Sequence, residues 1–139
     1  MANISKTISF PSIIDNLEKI EQMSSKIALD IGFDESTVDD ISIALTELVN
    51  NAIHHANKDN PDKKVTVSFK SDDEKLTISI LDEGEGFSPT NIGNPLDPDN
   101  LMSDSGRGLY LVEALMDSVE YKISKTGTEA IITKNLESK

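Results

Sequence analysis

The stretch ELVNNAIHHA, residues 47–56, contains an acid and an amide that could serve one reactive site. Glu47 and Asn51 are four positions apart, so both project from one face if the stretch is helical. An amide oxygen is a hard ligand for a divalent metal ion, and a carboxylate can accept a proton as a general base. The pair therefore fits metal-assisted chemistry, although an ordinary solvent-facing polar stripe has the same spacing.

Two adjacent histidines, His54 and His55, follow on the same stretch. Neighbouring helical positions point about 100° apart, so we do not expect the two rings to share one ion. The chain has no cysteine and no further histidine to complete a zinc site.

A second constellation, DEGEGF at residues 82–87, comes directly after an alternating apolar segment. An acid at the end of a strand, here Asp82, can accept a hydrogen bond from a ligand amine. Gly84 and Gly86 would allow the backbone to approach that ligand closely. An acidic turn after a hairpin strand is the alternative. A dinucleotide fingerprint is excluded, because no third glycine opens a helix at the required place.

A third constellation, SGRGLYLV at residues 105–112, places glycines at the start of an amphipathic helix. Free N–H groups and the helix dipole stabilise a phosphate at such an N-terminus. Arg107 could add a charge-assisted contact. The alternative is a tight loop-to-helix entry with an exposed arginine. A P-loop is excluded, since no Gly-Lys-Ser or Gly-Lys-Thr occurs in the chain.

The elements that must position these residues follow from periodicity and from Gly and Pro punctuation. We predict a single domain over residues 1–139, with helices on one face of a mixed, mostly antiparallel sheet, an α+β two-layer sandwich. A Gly- and Pro-rich loop from Asp82 to Gly106 is expected to act as a lid or binding loop. The predicted strands are Ile4–Phe10, Val65–Phe69, Leu76–Ile80, Val119–Ser124 and Glu129–Lys134. The first predicted helix runs from Ile13 to Ile31, the second from a cap at Asp34 or Ser36 to about Ala56, and the third from Gly106 to Asp117.

Charge and composition restrict the kind of partner. The formal net charge is −12, from 25 acidic and 13 basic residues, which disfavours direct contact with nucleic acid. No apolar segment approaches the length of a membrane span, and the first residues lack the pattern of a signal peptide. The absence of cysteine favours a cytoplasmic location.

Together and in this order, the three constellations resemble the motifs of the GHKL superfamily of ATPases and kinases. ELVNNAIHHA is similar to its N box, DEGEGF to its first glycine box, SGRGLYLV to its second, and Gly127 with Thr128 to its last short motif. The stretches DEGEGFSP and GRGLYLVEALMDSVEY are most similar to the anti-sigma-factor serine/threonine kinases. The resemblance implies the Bergerat fold, binding of ATP or ADP with Mg²⁺, and a role in transcription regulation.

The resemblance also implies a role for each matching residue. Glu47 would be the general base and Asn51 the Mg²⁺ ligand. Asp82 would recognise the adenine amino group, and Thr128 would lie near the adenine. His55 would also belong to the nucleotide site, although a structural role is an equal alternative for it. Gly84 and Gly86 would shape the adenine pocket and the start of the lid. The phosphates would be held by Gly106, Arg107, Gly108 and Leu109.

Kinases of this type phosphorylate an anti-sigma-factor antagonist of the STAS type and hold a sigma factor inactive, and the resemblance suggests a homodimer. Two positions depart from the pattern. Asp104 stands where some relatives carry a basic residue near the terminal phosphate, and Glu129 stands where a second small hydroxyl residue is frequent. Asp104 leaves open a nucleotide-dependent binding module without kinase activity. A detached histidine-kinase catalytic domain is a third hypothesis, although only 12 residues precede Ile13, so we expect no dimerisation helix pair there.

Overall fold

The computed structural model describes residues 4–84 and 104–136, which form a helical layer on a five-stranded sheet. This architecture confirms the predicted two-layer α+β sandwich. Its elements, in chain order, are β1 Ser5–Pro11, a 3-10 turn Ile14–Asn16, α1 Leu17–Ile31, α2 Glu35–Asn51, a π-helical segment Ala52–Ala56, β2 Lys64–Ser71, β3 Lys75–Leu81, α3 Asp104–Leu115, β4 Ser118–Ser124 and β5 Gly127–Asn135.

The sheet has the strand order β1-β2-β3-β5-β4, and neighbouring strands are antiparallel at each of these pairings. Alternation in β2 and β3 places one set of side chains in the core and the other on the opposite face. Phe69 faces Ile78, and Ile78 faces Ile132, and all three are fully buried. The apolar alternation predicted this hairpin and its inner face, and the structure confirms both.

The end of α1 and the start of α2 are as predicted, because sequence signals at these ends are used, whereas α1 begins at Leu17 rather than Ile13, after a 3-10 turn. α1 ends at Gly32, whose φ of 119° is left-handed and suits glycine. The Asp34 side chain caps α2 by accepting a hydrogen bond from the Thr37 N–H at 2.8 Å. The buried positions of α2, which include Ile41 and Leu45, anchor it to the core.

The helix that begins with α2 extends to Ala56, as predicted, but its last turn is π-helical. The Asn57 N–H donates to the Ala52 carbonyl at 2.9 Å, five residues back, so this turn is wider than an α-helical one. Asn57, which follows this turn at the start of a stretch rich in polar residues, is buried.

The third helix lies two residues earlier in the chain than predicted at both ends. It begins at Asp104. It ends at Leu115 because the Asp117 N–H donates to the Thr133 carbonyl of β5 at 2.9 Å. The Lys134 ammonium group donates to the Leu115 carbonyl at 2.7 Å, which fastens this helix end to the sheet.

Residues 85–103, which include Gly86 and most of the expected lid, lie outside the described residues. Within residues 4–84 and 104–136, no helix combines the length and the apolar character needed to cross a membrane.

Candidate functional site

Glu47 and Asn51 lie on one side of α2, next to the boundary between its buried face and solvent. Both side chains are partly buried, whereas Leu48 and Val49 between them are fully or almost fully buried. An open surface cavity of about 310 Å³ lies beside Glu47. Its lining comes from α1 and α2 and consists of Leu17, Ile43, Thr46, Glu47 and Asn50. The acid therefore borders a space that a reactive group could enter.

Gly108 of α3 lies directly against the carboxyl group of Glu47. A Cβ atom built on Gly108 would be 2.6 Å from the Glu47 Oε1 atom, closer than real side chains approach. A larger residue at this position would therefore require the Glu47 side chain to move aside. The structure thus brings together the first and third constellations, which are separated along the chain by β2, β3 and the residues that lead to α3.

Gly106, Arg107, Gly108 and Leu109 all fall within the first two turns of α3. The predicted position of these residues at a helix N-terminus is confirmed for the backbone. Their binding of phosphate through N–H groups stays a prediction, as does the contact expected from Arg107.

Asp82 follows the last residue of β3 and is buried, with 8% of its surface exposed. Its Oδ1 atom accepts hydrogen bonds from the N–H groups of Gly84 and Thr128, each at 3.0 Å. Burial raises the pKa of the carboxyl group, and the two backbone hydrogen bonds partly oppose that rise. Within the described ranges, 4–84 and 104–136, no group donates to Oδ2, which leaves that oxygen for a ligand amine.

Two glycines permit the close packing around Asp82. A Cβ on Gly127 would collide with the Asp82 carbonyl oxygen, and a Cβ on Gly84 would be 2.7 Å from the Ala56 carbonyl oxygen. The chain at the end of β3 is therefore pressed between β5 and the end of the α2 helix. The family resemblance predicted that Gly84 shapes the adenine pocket. For Gly127 it implied only that the residue belongs to the last short motif.

Thr128 and Glu129 point to opposite faces of β5, as alternation requires. Thr128 is buried with 8% exposed, and its backbone N–H and carbonyl both bond to Asp82. The Glu129 Oε2 atom accepts a hydrogen bond from the Ser79 hydroxyl at 2.5 Å on the other face of the sheet. The departure at position 129 thus lies away from the site.

Asn57 is a site residue that sequence reasoning missed. It is 1% exposed, and its side chain bonds to groups from the ends of β1, β2 and β3. Hydrogen bonds between positions so distant along the chain have no local signal. The only hint was an amide placed directly after the helix that carries Glu47 and Asn51.

The two histidines occupy different environments. The His54 Nδ1 atom lies 2.5 Å from the Asp59 carboxylate, so its ring is paired with the following turn. His55 is exposed on the π-helical segment, and its role at the nucleotide stays a prediction. Among the residues that the structure describes, no group of three or more His, Cys, Asp or Glu side chains is arranged to hold a metal ion.

The sequence and the fold both have counterparts among known proteins. The serine-protein kinase RsbW of Oceanobacillus iheyensis is 32% identical over 102 residues, which cover 69% of this chain and 65% of that protein, so the chain spans just under two thirds of that relative. The serine-protein kinase RsbW of Bacillus licheniformis is 34% identical over 119 residues, covering 81% of this chain and 73% of that protein.

A solved structure of RsbU and RsbW domains from Mycobacterium tuberculosis superposes with a TM-score of 0.68 at 22% identity, covering 94% of this chain and 31% of that one. That likeness supports the fold. The family profile of the histidine kinase-like ATPase domain matches residues 10–134, nearly the whole chain. The chain therefore belongs to the histidine kinase-like ATPase domain family.

Proposed function

We propose that this domain is an anti-sigma-factor serine/threonine protein kinase, which binds Mg-ATP, phosphorylates an antagonist of the STAS type and holds a sigma factor inactive. The observation that carries the proposal is the packing of Gly108 on Glu47, because it joins a potential base to the helix start expected to hold phosphate. The relatives named as serine-protein kinases support the reaction type.

The adenine end of the nucleotide would bind at Asp82. Its Oδ1 atom is occupied by backbone N–H groups, so Oδ2 would accept a hydrogen bond from the adenine amino group. Thr128 and Gly84 would hold the carboxyl group in the required orientation. A purine without an exocyclic amine would lose this contact.

Mg²⁺ fits the donors at the other end. The ion is commonly held by one or two protein oxygens together with substrate phosphates, and the amide oxygen of Asn51 supplies a hard ligand on the same helix face as Glu47. When bound, the ion would neutralise charge on the phosphates.

In the proposed transfer, Glu47 accepts the proton of a partner's serine or threonine hydroxyl. The hydroxyl oxygen forms a bond to the γ-phosphorus as the bond between that phosphorus and the β,γ-bridging oxygen breaks, and ADP departs with the electron pair. Most of the rate acceleration in such reactions comes from positioning and charge neutralisation. The cavity beside Glu47 offers the hydroxyl a route to this carboxyl group.

The substitution Glu47→Gln tests the mechanism. It keeps the size of the side chain but removes the proton acceptor, so we expect phosphotransfer to fall by about 10²–10⁴-fold while nucleotide affinity changes little. The measurements are label transfer from γ-labelled ATP to a STAS-type protein recovered with the domain in the presence of ADP, and the Kd of a fluorescent ATP analogue.

Glu35→Gln serves as the matched control, because Glu35 is an exposed acid in the first turn of the same helix. Transfer should be normal in that variant. Undiminished transfer by the Glu47→Gln variant would remove Glu47 from the mechanism.

A second candidate function, a nucleotide-dependent binding module without phosphotransfer, is favoured by Asp104, an acid where some relatives carry a basic residue. Tight ATP binding without any labelled partner would support this module. Acid-labile label on a histidine would instead support a detached histidine-kinase catalytic domain.

A further inference from the structure

Asn57 joins parts of the chain that lie far apart in sequence. Its Nδ2 group donates to the Ser12 hydroxyl at 2.8 Å and to the Lys64 carbonyl at 3.1 Å. Its Oδ1 atom accepts from the Glu83 N–H at 2.9 Å. Ser12 in turn donates to the Lys63 carbonyl at 2.6 Å. The buried amide is thus used as both donor and acceptor.

The bond to Glu83 holds the chain immediately after Asp82. The last paired residue of β3 is Leu81, so the residues that follow depend on other contacts for their position. On one side, Thr128 of β5 bonds to Asp82. On the other side, Asn57 bonds to Glu83, and Gly84 packs on the Ala56 carbonyl.

This second side connects to the helix that carries the potential base. Ala56 and Asn57 end the π-helical segment that continues α2 beyond Asn51. The Glu83 carboxylate also accepts a hydrogen bond from the Lys64 N–H, which ties the same stretch to β2. A shift of Glu83 would move the Gly84 N–H, and that group is one of the two donors that orient the Asp82 carboxyl group.

From these contacts we propose that Asn57 is a positioning residue that sets the orientation of the Asp82 carboxyl group and thereby the selectivity of the site for adenine. The inference rests on the proposed function, because it assumes that Asp82 accepts the adenine amine. Asn57 itself touches Asp82 only through the backbone of residues 83 and 84.

The test compares two nucleotides, ATP and purine riboside 5′-triphosphate, which lacks the 6-amino group. For each variant the measured quantity is the ratio of the two Kd values, analogue over ATP. The wild-type protein should prefer ATP, and Asp82→Ala should abolish that preference. In Asn57→Ala the Asp82 carboxyl group would be misplaced and would lose its hydrogen bond from the adenine amine. The ratio should therefore fall by about tenfold, the usual effect of losing a hydrogen bond to a charged acceptor.

The ratio measured for Asn57→Ala alone separates positioning from a general loss of structure, and the double variant with Asp82→Ala is its consistency check. If Asn57 acts through Asp82, the ratio in the double variant equals that of Asp82→Ala alone. A purely structural role would weaken binding of both nucleotides equally and leave the ratio at its wild-type value, which would overturn the inference.

Asn60→Ala is the matched control. Asn60 lies in the same turn and its side chain also accepts a backbone hydrogen bond, from the Asp62 N–H at 2.9 Å, but within residues 4–84 and 104–136 its side chain has no hydrogen bond to β3. Its ratio should equal that of the wild type. A fall as large as that of Asn57→Ala would count against the specific role of Asn57.

If Asn57→Ala does not fold, Ser12→Ala replaces it, because this change removes one acceptor of the Asn57 amide and leaves the Glu83 contact in place. The ratio should then fall by a smaller factor, and a wild-type ratio would overturn the inference. Failure of the wild-type protein to bind ATP would overturn the proposed function and the inference together. A ratio equal to that of the wild type in both Asn57→Ala and Ser12→Ala would overturn the inference alone.

Discussion

The carboxyl group of Glu47 lies against the backbone of Gly108, whereas that of Asp82 is buried and accepts hydrogen bonds from Gly84 and Thr128. These environments suit different tasks. Glu47 borders an open cavity from which a proton could arrive. Asp82 has one oxygen held by the backbone, so its orientation is defined before a ligand binds. Each acid thus depends on a glycine or backbone group supplied by a distant part of the chain.

Gly108→Ala should destabilise the protein because its methyl group would overlap the Glu47 carboxyl group. Overpacking of this kind costs about 1–3 kcal/mol, while alanine in a helix gains up to about 1 kcal/mol over glycine. Because the flexible Glu47 side chain can move aside, the cost should lie at the low end of this range, and we expect a net decrease in the free energy of unfolding of no more than about 1 kcal/mol, measured by urea denaturation. In a Glu47→Ala background the clash is gone and the same change should stabilise the protein. An equal loss in both backgrounds would show that residue 108 does not press on Glu47.

Asp82→Asn should alter how stability depends on pH. Burial raises the pKa of Asp82 in the folded protein above its ordinary value of 3.8, so the native state binds this proton more tightly than the unfolded state does. The stabilisation by the bound proton is complete below pH 3.8 and is lost as pH rises through the folded-state pKa. The free energy of unfolding of Asp82→Asn relative to wild type should therefore increase from acid towards neutral pH. Urea titrations across that range provide the measurement, and a pH-independent difference would contradict the shift.

At the scale of elements, α2 and α3 carry the two halves of the proposed phosphate site, and both are secured at their ends. The π-helical continuation of α2 directs Asn57 inward, where it bonds to three strand ends. α3 is fastened at its C-terminus, where Lys134 of β5 caps the Leu115 carbonyl and the Asp117 carboxylate accepts from the Asn135 N–H. Sheet and helices are thus joined by side chains close to the points where helices end.

Lys134→Met should weaken the attachment of α3 to the sheet. The change keeps the aliphatic length of the side chain but removes the ammonium donor, so we expect a loss of about 1 kcal/mol in the free energy of unfolding. A larger increase in amide hydrogen exchange in α3 than in α1, each relative to the wild-type protein, would show that the effect lies at α3. Lys122→Met, at an exposed position of β4, is the control and should change stability by less than about 0.5 kcal/mol. Equal effects of the two substitutions would contradict a specific cap.

At the scale of the whole molecule, the parts that could be predicted from sequence are those governed by near neighbours. Alternation identified the inner faces of β2 and β3, and Gly32 and Asp34 marked the ends of two helices. The order of the motifs predicted the fold class, which the structure and the family match confirm. The packing of Gly108 on Glu47 had no such signal, since it depends on how α3 lies across α2.

The burial of Asn57 was missed for the same physical reason. Its hydrogen-bond partners belong to residues 12, 64 and 83, which approach one another only when the sheet and the helices are assembled. The polar residues that follow Ala56 favour a surface loop, and nothing in the local sequence indicates the buried partners of Asn57. Tertiary hydrogen bonding therefore overrides the local preference.

The strand order of the sheet also determines the order in which the chain can assemble. β2 with β3, and β4 with β5, are hairpins whose strands are separated by short turns, so their closure costs little chain entropy. β1 pairs with β2 only across a loop that contains both α1 and α2, and β3 pairs with β5 only across the segment that contains α3. Contacts of such long sequence separation are expected to form late in folding. The hydrogen bonds of Asn57 with Ser12 and Glu83 belong to this late class. The proposed adenine site would therefore be completed only in the last steps of folding, so that chains still incompletely folded would not yet bind nucleotide.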